Sequence, residues 1–472
     1  MKFTNRLIFL TLFYFSAGMI GISAQNTQVP SNNHSLTNRL EQFRQLKFGM
    51  FIHWGPYAEL GGTYKGKKQG GNAEWIMLSG KIPSSEYEEV CKNWNPSNFN
   101  AGEWVKLAKE AGMKYLVFTT KHHDGFCMFK SGLTDYNMVD YTPFGRDVVN
   151  ELAESCKENN LHLGLYYSLA DWHHPEFPAN YSNLGSNFHG NPNPGADISK
   201  YADYQLGQIR ELMANYGPVS VAWFDGGGSF EKANRYKLLK GDSLVSLIRT
   251  LQPHCLINDR IGGGKGDYGT PEQSIPGTIQ NQAFETCMTI NDTWGFRSYD
   301  HNWKSTKDLL SKLVDIVHKG GNFLLNVGPD GTGRIPEESA IRLKEMGKWI
   351  NLYSEAIYGT NNSLFEAFPW GKSSTKLLPN GNSVIYLFVE KWPLDRNLNI
   401  RGIRNSIQSV RLLSPEGEIP LKSKNSKDEL LIRLPEQAID ELISVVKINL
   451  KGQPMVDHKF SVQQETDENR AK

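Results

Sequence analysis

Residues 219–228 read Val-Ser-Val-Ala-Trp-Phe-Asp-Gly-Gly-Gly. An apolar run of strand length ends in one carboxylate and then in residues with no side chain. On a strand, alternate residues share a face, so Val219, Val221, Trp223 and Asp225 point the same way. The glycines let the backbone turn sharply and leave space in front of the Asp225 carboxyl. Before this run, Tyr201 to Tyr216 has helical spacing and is closed by Gly217-Pro218. After it, Leu238 to Leu251 reads as a helix stopped before Pro253. The stretch is therefore the strand of an alternating strand–helix pattern, with an acid where the strand ends.

The same grammar extends in both directions. Phe48 to His53, Tyr115 to Thr120, Leu161 to Ser168, Cys255 to Asp259, Thr278 to Phe284 and Asn322 to Val327 read as further strands. Ala101 to Met113, Arg146 to Asn159, Thr306 to Lys319 and Pro336 to Tyr353 read as helices. Strands without alternation, separated by helices, predict a parallel sheet covered on both sides. No GxGxxG follows the first strand, which removes the dinucleotide-binding form of an open sheet. Polar residues instead stand at the ends of many strands: His53, His122, His123, Tyr167, Asp225, Arg260 and Glu285. In a barrel that end carries the active site, so the fold class predicted is α/β, a (β/α)8-like barrel. Seven strands are readable, which leaves one degenerate or misread.

Helical spacing stops after Gly359. Ser383 to Glu390, Ile407 to Leu413, Glu429 to Leu434 and Ile443 to Leu450 are short runs separated by turns such as Pro379-Asn380-Gly381. They predict an antiparallel β-sandwich over 361–451, after a barrel over 34–358, with a polar tail at 452–472. At the other end, Lys2 and Arg6 precede an apolar run from Leu7 to Phe15, and Ser23-Ala24 supply a cleavage site. Residues 1–24 thus read as a signal peptide, and the protein as exported, periplasmic or secreted, with no membrane span in the mature chain. The net charge of +1 gives no reason to expect nucleic acid as a partner. Cys91, Cys127, Cys156, Cys255 and Cys287 are odd in number, widely spaced and without a CxxC pair, so they read as buried small residues.

Three features carry chemistry. Asp225 at a barrel mouth suits a nucleophile. His122-His123, with His53 one strand away, suit hydrogen bonding to hydroxyls; metal binding is a rival reading, because three imidazoles could ligate zinc in a metal-dependent hydrolase. Trp54, Tyr57, Tyr64, Glu74-Trp75, Tyr166-Tyr167 and Asp171-Trp172 add aromatic faces beside polar groups. Together these suit a polyhydroxylated, partly apolar ring. A retaining glycosidase needs a second carboxyl to protonate the leaving oxygen, and Asp259, Glu272 and Glu285 are candidates. A binding protein on a degenerate barrel is the non-enzymatic alternative.

The ordered motifs FGMFIHWG, EW at Glu74-Trp75, KHHDGF, LYYSLADWH, WFDGG, NDR, FETC with WGF, and NFLLNVGPDGTG resemble the α-L-fucosidases of glycoside hydrolase family 29. The resemblance covers roughly Leu36 to Tyr358. It implies a barrel followed by a β-sandwich and an exo-acting, double-displacement hydrolysis of terminal fucose from glycans without cofactor or metal. It implies Asp225 as nucleophile and, through the FETC motif, Glu285 as acid/base. It also implies His53, Glu74, Trp75, His122, His123, Tyr167, Trp223 and Arg260 as the residues that hold fucose, with Tyr166 as the alternative to its neighbour.

Overall fold

The computed structural model describes residues 35–177, 195–226, 232–426, 428–457 and 459–460. The expected signal peptide, Gly227, Gly228 and most of the polar tail lie outside the described residues. No helix among the described residues is long and apolar enough to cross a membrane.

Seven parallel strands make one curled sheet: β1 (Phe48–Ile52), β2 (Tyr115–Lys121), β3 (His162–Ser168), β4 (Val221–Asp225), β5 (Leu256–Ile257), β6 (Glu285–Thr289) and β7 (Asn322–Val327). Their order across the sheet is β5-β4-β3-β2-β1-β7-β6. Every residue of β1, β2 and β7 is buried, as strands covered on both faces must be. In β2, Leu116 and Phe118 pack with the outer helices, while Tyr115 and Val117 face an inner cluster that holds Phe51, Tyr166, Val221 and Trp223. The helices carry the caps their sequences offer: Asn100, Asp147, Asp197 and Ser305 each accept a backbone N–H in the first turn.

The edge strands β5 and β6 are joined by an irregular segment. Tyr268 bridges to Asn258 beyond β5, and Gly269 and Glu272 bridge to Phe284 and Cys287 along β6. The Glu285 N–H donates to the Gly269 carbonyl at 2.9 Å and the Asp267 N–H to Ile257 at 2.7 Å. Residues 267–273 therefore act as an eighth stave held by scattered bridges, with Pro271 interrupting any regular ladder. This is the strand that did not read as one in the sequence. The strand expected over 278–284 is misplaced. That segment is irregular up to the bridge at Phe284, and the ladder runs from Glu285 to Thr289 instead. Pro276-Gly277 breaks the earlier stretch, and the true strand is disguised by the polar residues it turns inward.

The C-terminal part is a sandwich of a five-stranded and a three-stranded antiparallel sheet. Along Ser383–Val389, Ile385, Leu387 and Val389 face the sandwich core, and Val384, Tyr386 and Phe388 face the barrel helices. The Trp349 indole N–H donates to the Ile443 carbonyl at 2.8 Å, and the Tyr386 hydroxyl to Glu355 at 2.8 Å, across that interface. All five cysteines are free and buried.

Candidate active site

The strand ends converge on a cavity of about 320 Å³. Its walls include His53, Glu74, Trp75, His122, His123, Trp223, Asp225, Arg260 and Glu272. Asp225 ends β4 with Trp223 one layer beneath, as strand alternation predicts. Gly226 then turns with φ 79°, and a Cβ there would stand 2.8 Å from the Ala170 backbone nitrogen. Only glycine lets the chain leave the strand so close to its neighbour.

Asp225 is held on two sides. Arg260 Nη1 donates to one oxygen at 2.9 Å, and the Tyr166 hydroxyl donates to the other at 3.1 Å. Burial pushes its pKa up, but the Arg260 charge, His123 and the hydrogen bonds outweigh it and leave the carboxyl at about 2. It is ionised at any ordinary pH, as a nucleophile requires.

The imidazoles are neutral. Burial lowers His53 to about 3 and His123 to about 4, and His122 falls well below its ordinary value. Asn326 Nδ2 donates to the Trp294 carbonyl at 2.8 Å, so its Oδ1 accepts from His53 Nδ1–H at 2.7 Å. Ser168 donates to the Ala170 carbonyl at 2.7 Å and accepts from His123 Nδ1–H at 2.7 Å. Both rings thus keep an unprotonated Nε2, the atom that accepts a hydroxyl proton. His123 Nε2 is 3.9 Å from Asp225 Oδ2, too far for a direct hydrogen bond. His122 Nδ1 is buried with no hydrogen-bond partner among the described residues, and its ring stacks on Tyr166 at 5.6 Å. Glu74 accepts from the Gly295 N–H at 2.8 Å, and burial pushes its pKa up to about 7. Trp75 stands edge-on to His123 at 5.2 Å and to Trp172 at 5.4 Å. No three of His, Cys, Asp or Glu converge to hold a metal ion among the described residues.

Two expected site residues lie elsewhere. Tyr167 is buried behind β3, where its hydroxyl donates to Gln208 Oε1 at 2.7 Å. Tyr166 pairs with Trp223 in register and shares its inward face, so it is the tyrosine that reaches Asp225. Glu285 opens β6 rather than ending it. It is wholly buried in the inner cluster under Trp223 and is absent from the cavity wall. Two residues further along the same face, Cys287 lines the cavity instead. Of the three candidate acid/base carboxyls, Glu272 is the one that lines it, on the irregular stave, where Arg260 Nη2 donates to it at 2.9 Å.

Similarity to known proteins agrees with this architecture. The family described as Alpha-L-fucosidase matches residues 19–355. The chain belongs to the α-L-fucosidase family. An α-L-fucosidase of Dictyostelium discoideum is 30% identical over 424 residues, 83% of this chain and 88% of that protein. The crystal structure of α-L-fucosidase isoenzyme 1 from Paenibacillus thiaminolyticus has a TM-score of 0.79 at 34% identity and covers 88% of this chain and 99% of its own. A family 29 enzyme of Bacteroides thetaiotaomicron, with a TM-score of 0.77 at 28% identity, covers 88% of this chain and 96% of its own. That fucosidase was captured as a trapped covalent intermediate in complex with 2-fluoro-fucosyl fluoride.

Proposed function

We propose that this protein is an exo-acting, retaining α-L-fucosidase that removes terminal fucose from glycans, with Asp225 as nucleophile and Glu272 as acid/base. The observation that carries the reading is the shared guanidinium: Arg260 binds Asp225 and Glu272 at 2.9 Å each, at the mouth of one cavity. Ligand pockets range over about 300–1,000 Å³, so 320 Å³ suits a single ring and favours attack at a chain end.

In the first step an Asp225 oxygen bonds to the anomeric carbon while the glycosidic C–O bond breaks, and Glu272 gives its proton to the departing oxygen. Esterification removes the charge of Asp225, so Arg260 retains Glu272 as its counter-ion. In the second step Glu272, having given up its proton, takes one from water. The water attacks the anomeric carbon, the ester breaks, and the double inversion retains configuration. His53 and His123 accept hydrogen bonds from ring hydroxyls through Nε2, and Trp75 and Trp294 offer apolar faces to the methyl-bearing side of fucose.

The trapped covalent species of the Bacteroides relative supports a double displacement. Export by cleavage after Ala24 belongs to the same proposal, with Gln25 as the expected first residue of secreted protein. The test is aryl α-L-fucoside hydrolysis by protein lacking residues 1–24, with proton NMR of the first-formed sugar. Release of the α-anomer is expected. Release of the β-anomer refutes retention, and binding without turnover points to the sugar-binding alternative.

A further inference from the structure

Glu285 has no access to substrate, yet it is a carboxyl buried in an aromatic cluster, a costly placement without a role. Its contacts are specific. Oε1 accepts from the Trp223 indole N–H at 2.8 Å, and Oε2 accepts from the Tyr115 hydroxyl at 2.5 Å. Trp223 in turn carries the Arg260 guanidinium on its ring face, 4.6 Å from the centroid, and stacks on Tyr166 at 5.5 Å. Arg260 and Tyr166 both donate to Asp225, and Arg260 also holds Glu272.

We propose that Glu285 is a positioning residue for the glycosidase reaction, acting through Trp223 to fix Arg260 and Tyr166, and thereby the two carboxyls of the site. An indole is free to rock about its two side-chain torsions unless its N–H is tethered. A carboxylate acceptor tethers it and also feeds electron density into the ring, which strengthens the attraction of the face for a cation. Burial pushes the Glu285 pKa up to about 7, against the Tyr115 and Trp223 hydrogen bonds and the Arg260 charge. Tyr115, Trp223, Tyr268, Cys287 and Arg260 are the groups that face it.

The proposal rests on the fucosidase reading for its assay, so turnover by the unmodified protein is measured first. Absence of that turnover refutes the reading, whereas the relay is judged on ratios between variants. Glu285→Gln keeps an oxygen acceptor for the indole, Glu285→Leu removes it, and Trp223→Phe removes the donor but keeps a ring. Displacing a catalytic group by about 1 Å costs roughly 100-fold. Glu285→Leu and Trp223→Phe are expected to lower kcat by about that factor. KM should change far less, and the loss should be equal on fucosides with good and poor leaving groups. Glu285→Gln should retain most of the rate, and the double variant Glu285→Leu/Trp223→Phe should be no slower than Trp223→Phe alone. If Glu285→Leu does not fold, Glu285→Ala takes its place in the cycle. Additive losses overturn the relay. So does a Glu285→Gln loss confined to poor leaving groups and rescued by azide, which would make Glu285 the acid/base itself.

Discussion

Asp225 and Glu272 occupy the two terminal nitrogens of one guanidinium, that of Arg260. Neither carboxyl can move without disturbing the counter-ion of the other, so the spacing of the two carboxyls is set by a rigid planar group. Their roles are separable by substitution.

Asp225→Asn leaves the shape of the site and removes the nucleophilic charge. Hydrolysis of para-nitrophenyl α-L-fucoside should fall by on the order of 10⁴–10⁶-fold, as for loss of one member of a catalytic constellation. The thermal midpoint should stay near that of the parent protein. Activity within a few-fold of the parent would remove Asp225 from its role.

Glu272→Ala should discriminate by leaving group. Dinitrophenyl fucoside, which departs without protonation, should lose little in its first step, while unactivated fucosides lose the roughly 10²–10⁴-fold that general acid catalysis supplies. Azide should restore turnover and yield a fucosyl azide. Equal loss on both substrates, with no azide product, would return the role to another carboxyl.

Acid should destabilise the fold through its buried histidines. His53 and His123 titrate in the folded protein at about 3 and 4, and His318 at about 4, against an ordinary 6.5. Between those values the unfolded chain binds more protons, so stability falls as pH falls. Glu74 and Glu285 are raised from 4.5 to about 7 and act with the opposite sign, since the folded protein binds more protons over that window. The two sets oppose each other between 4.5 and 6.5; below that Asp124, raised from 3.8 to about 6, still opposes the histidines, while Asp225, lowered from 3.8 to about 2, joins them below 3.8. The thermal midpoint should therefore be flat across the first interval and drop steeply below it. A midpoint that held from pH 4.5 to 3 would show that these histidines are not buried neutral.

Gly347 sits where two outer helices cross in close contact. A methyl group there would stand 1.9 Å from the Glu110 carbonyl oxygen, which is backbone and cannot swing aside. Gly347→Ala should cost about 1–3 kcal/mol of stability, read as a lower denaturation midpoint with the rate at low temperature unchanged. A neutral or stabilising effect would contradict the helix contact.

Asp225 and Trp223 were legible because their strand is an unbroken apolar run, where parity alone assigns the inward face. Tyr166 and Tyr167 were not, because strand-end position favours Tyr167, whereas facing depends on register with β4. Sequence spacing does not carry that register. The position of Glu285 in its strand was missed for a related reason. With its strand placed over 278–284 it stood at the mouth; with the strand at Glu285–Thr289 it stands at the foot. Its raised pKa is no guide, since burial raises an acid whether or not substrate can reach it. Asn72 lines the cavity from a loop and Cys287 from a strand whose inward residues are polar, and no periodicity announces them.

The stave that bears Glu272 is pinned by isolated bridges, while Asp225 ends a strand in continuous ladder with its neighbour. Residues added or lost between Arg260 and Glu272 would leave every ladder in register, whereas one residue added within β4 would turn Asp225 away from the cavity. The two halves of the reaction thus differ in how tightly their addresses in the chain are written. One carboxyl can migrate along the sequence over evolutionary time while the chemistry stays in place, and an acid identified by spacing alone is the one most easily mistaken for its neighbour.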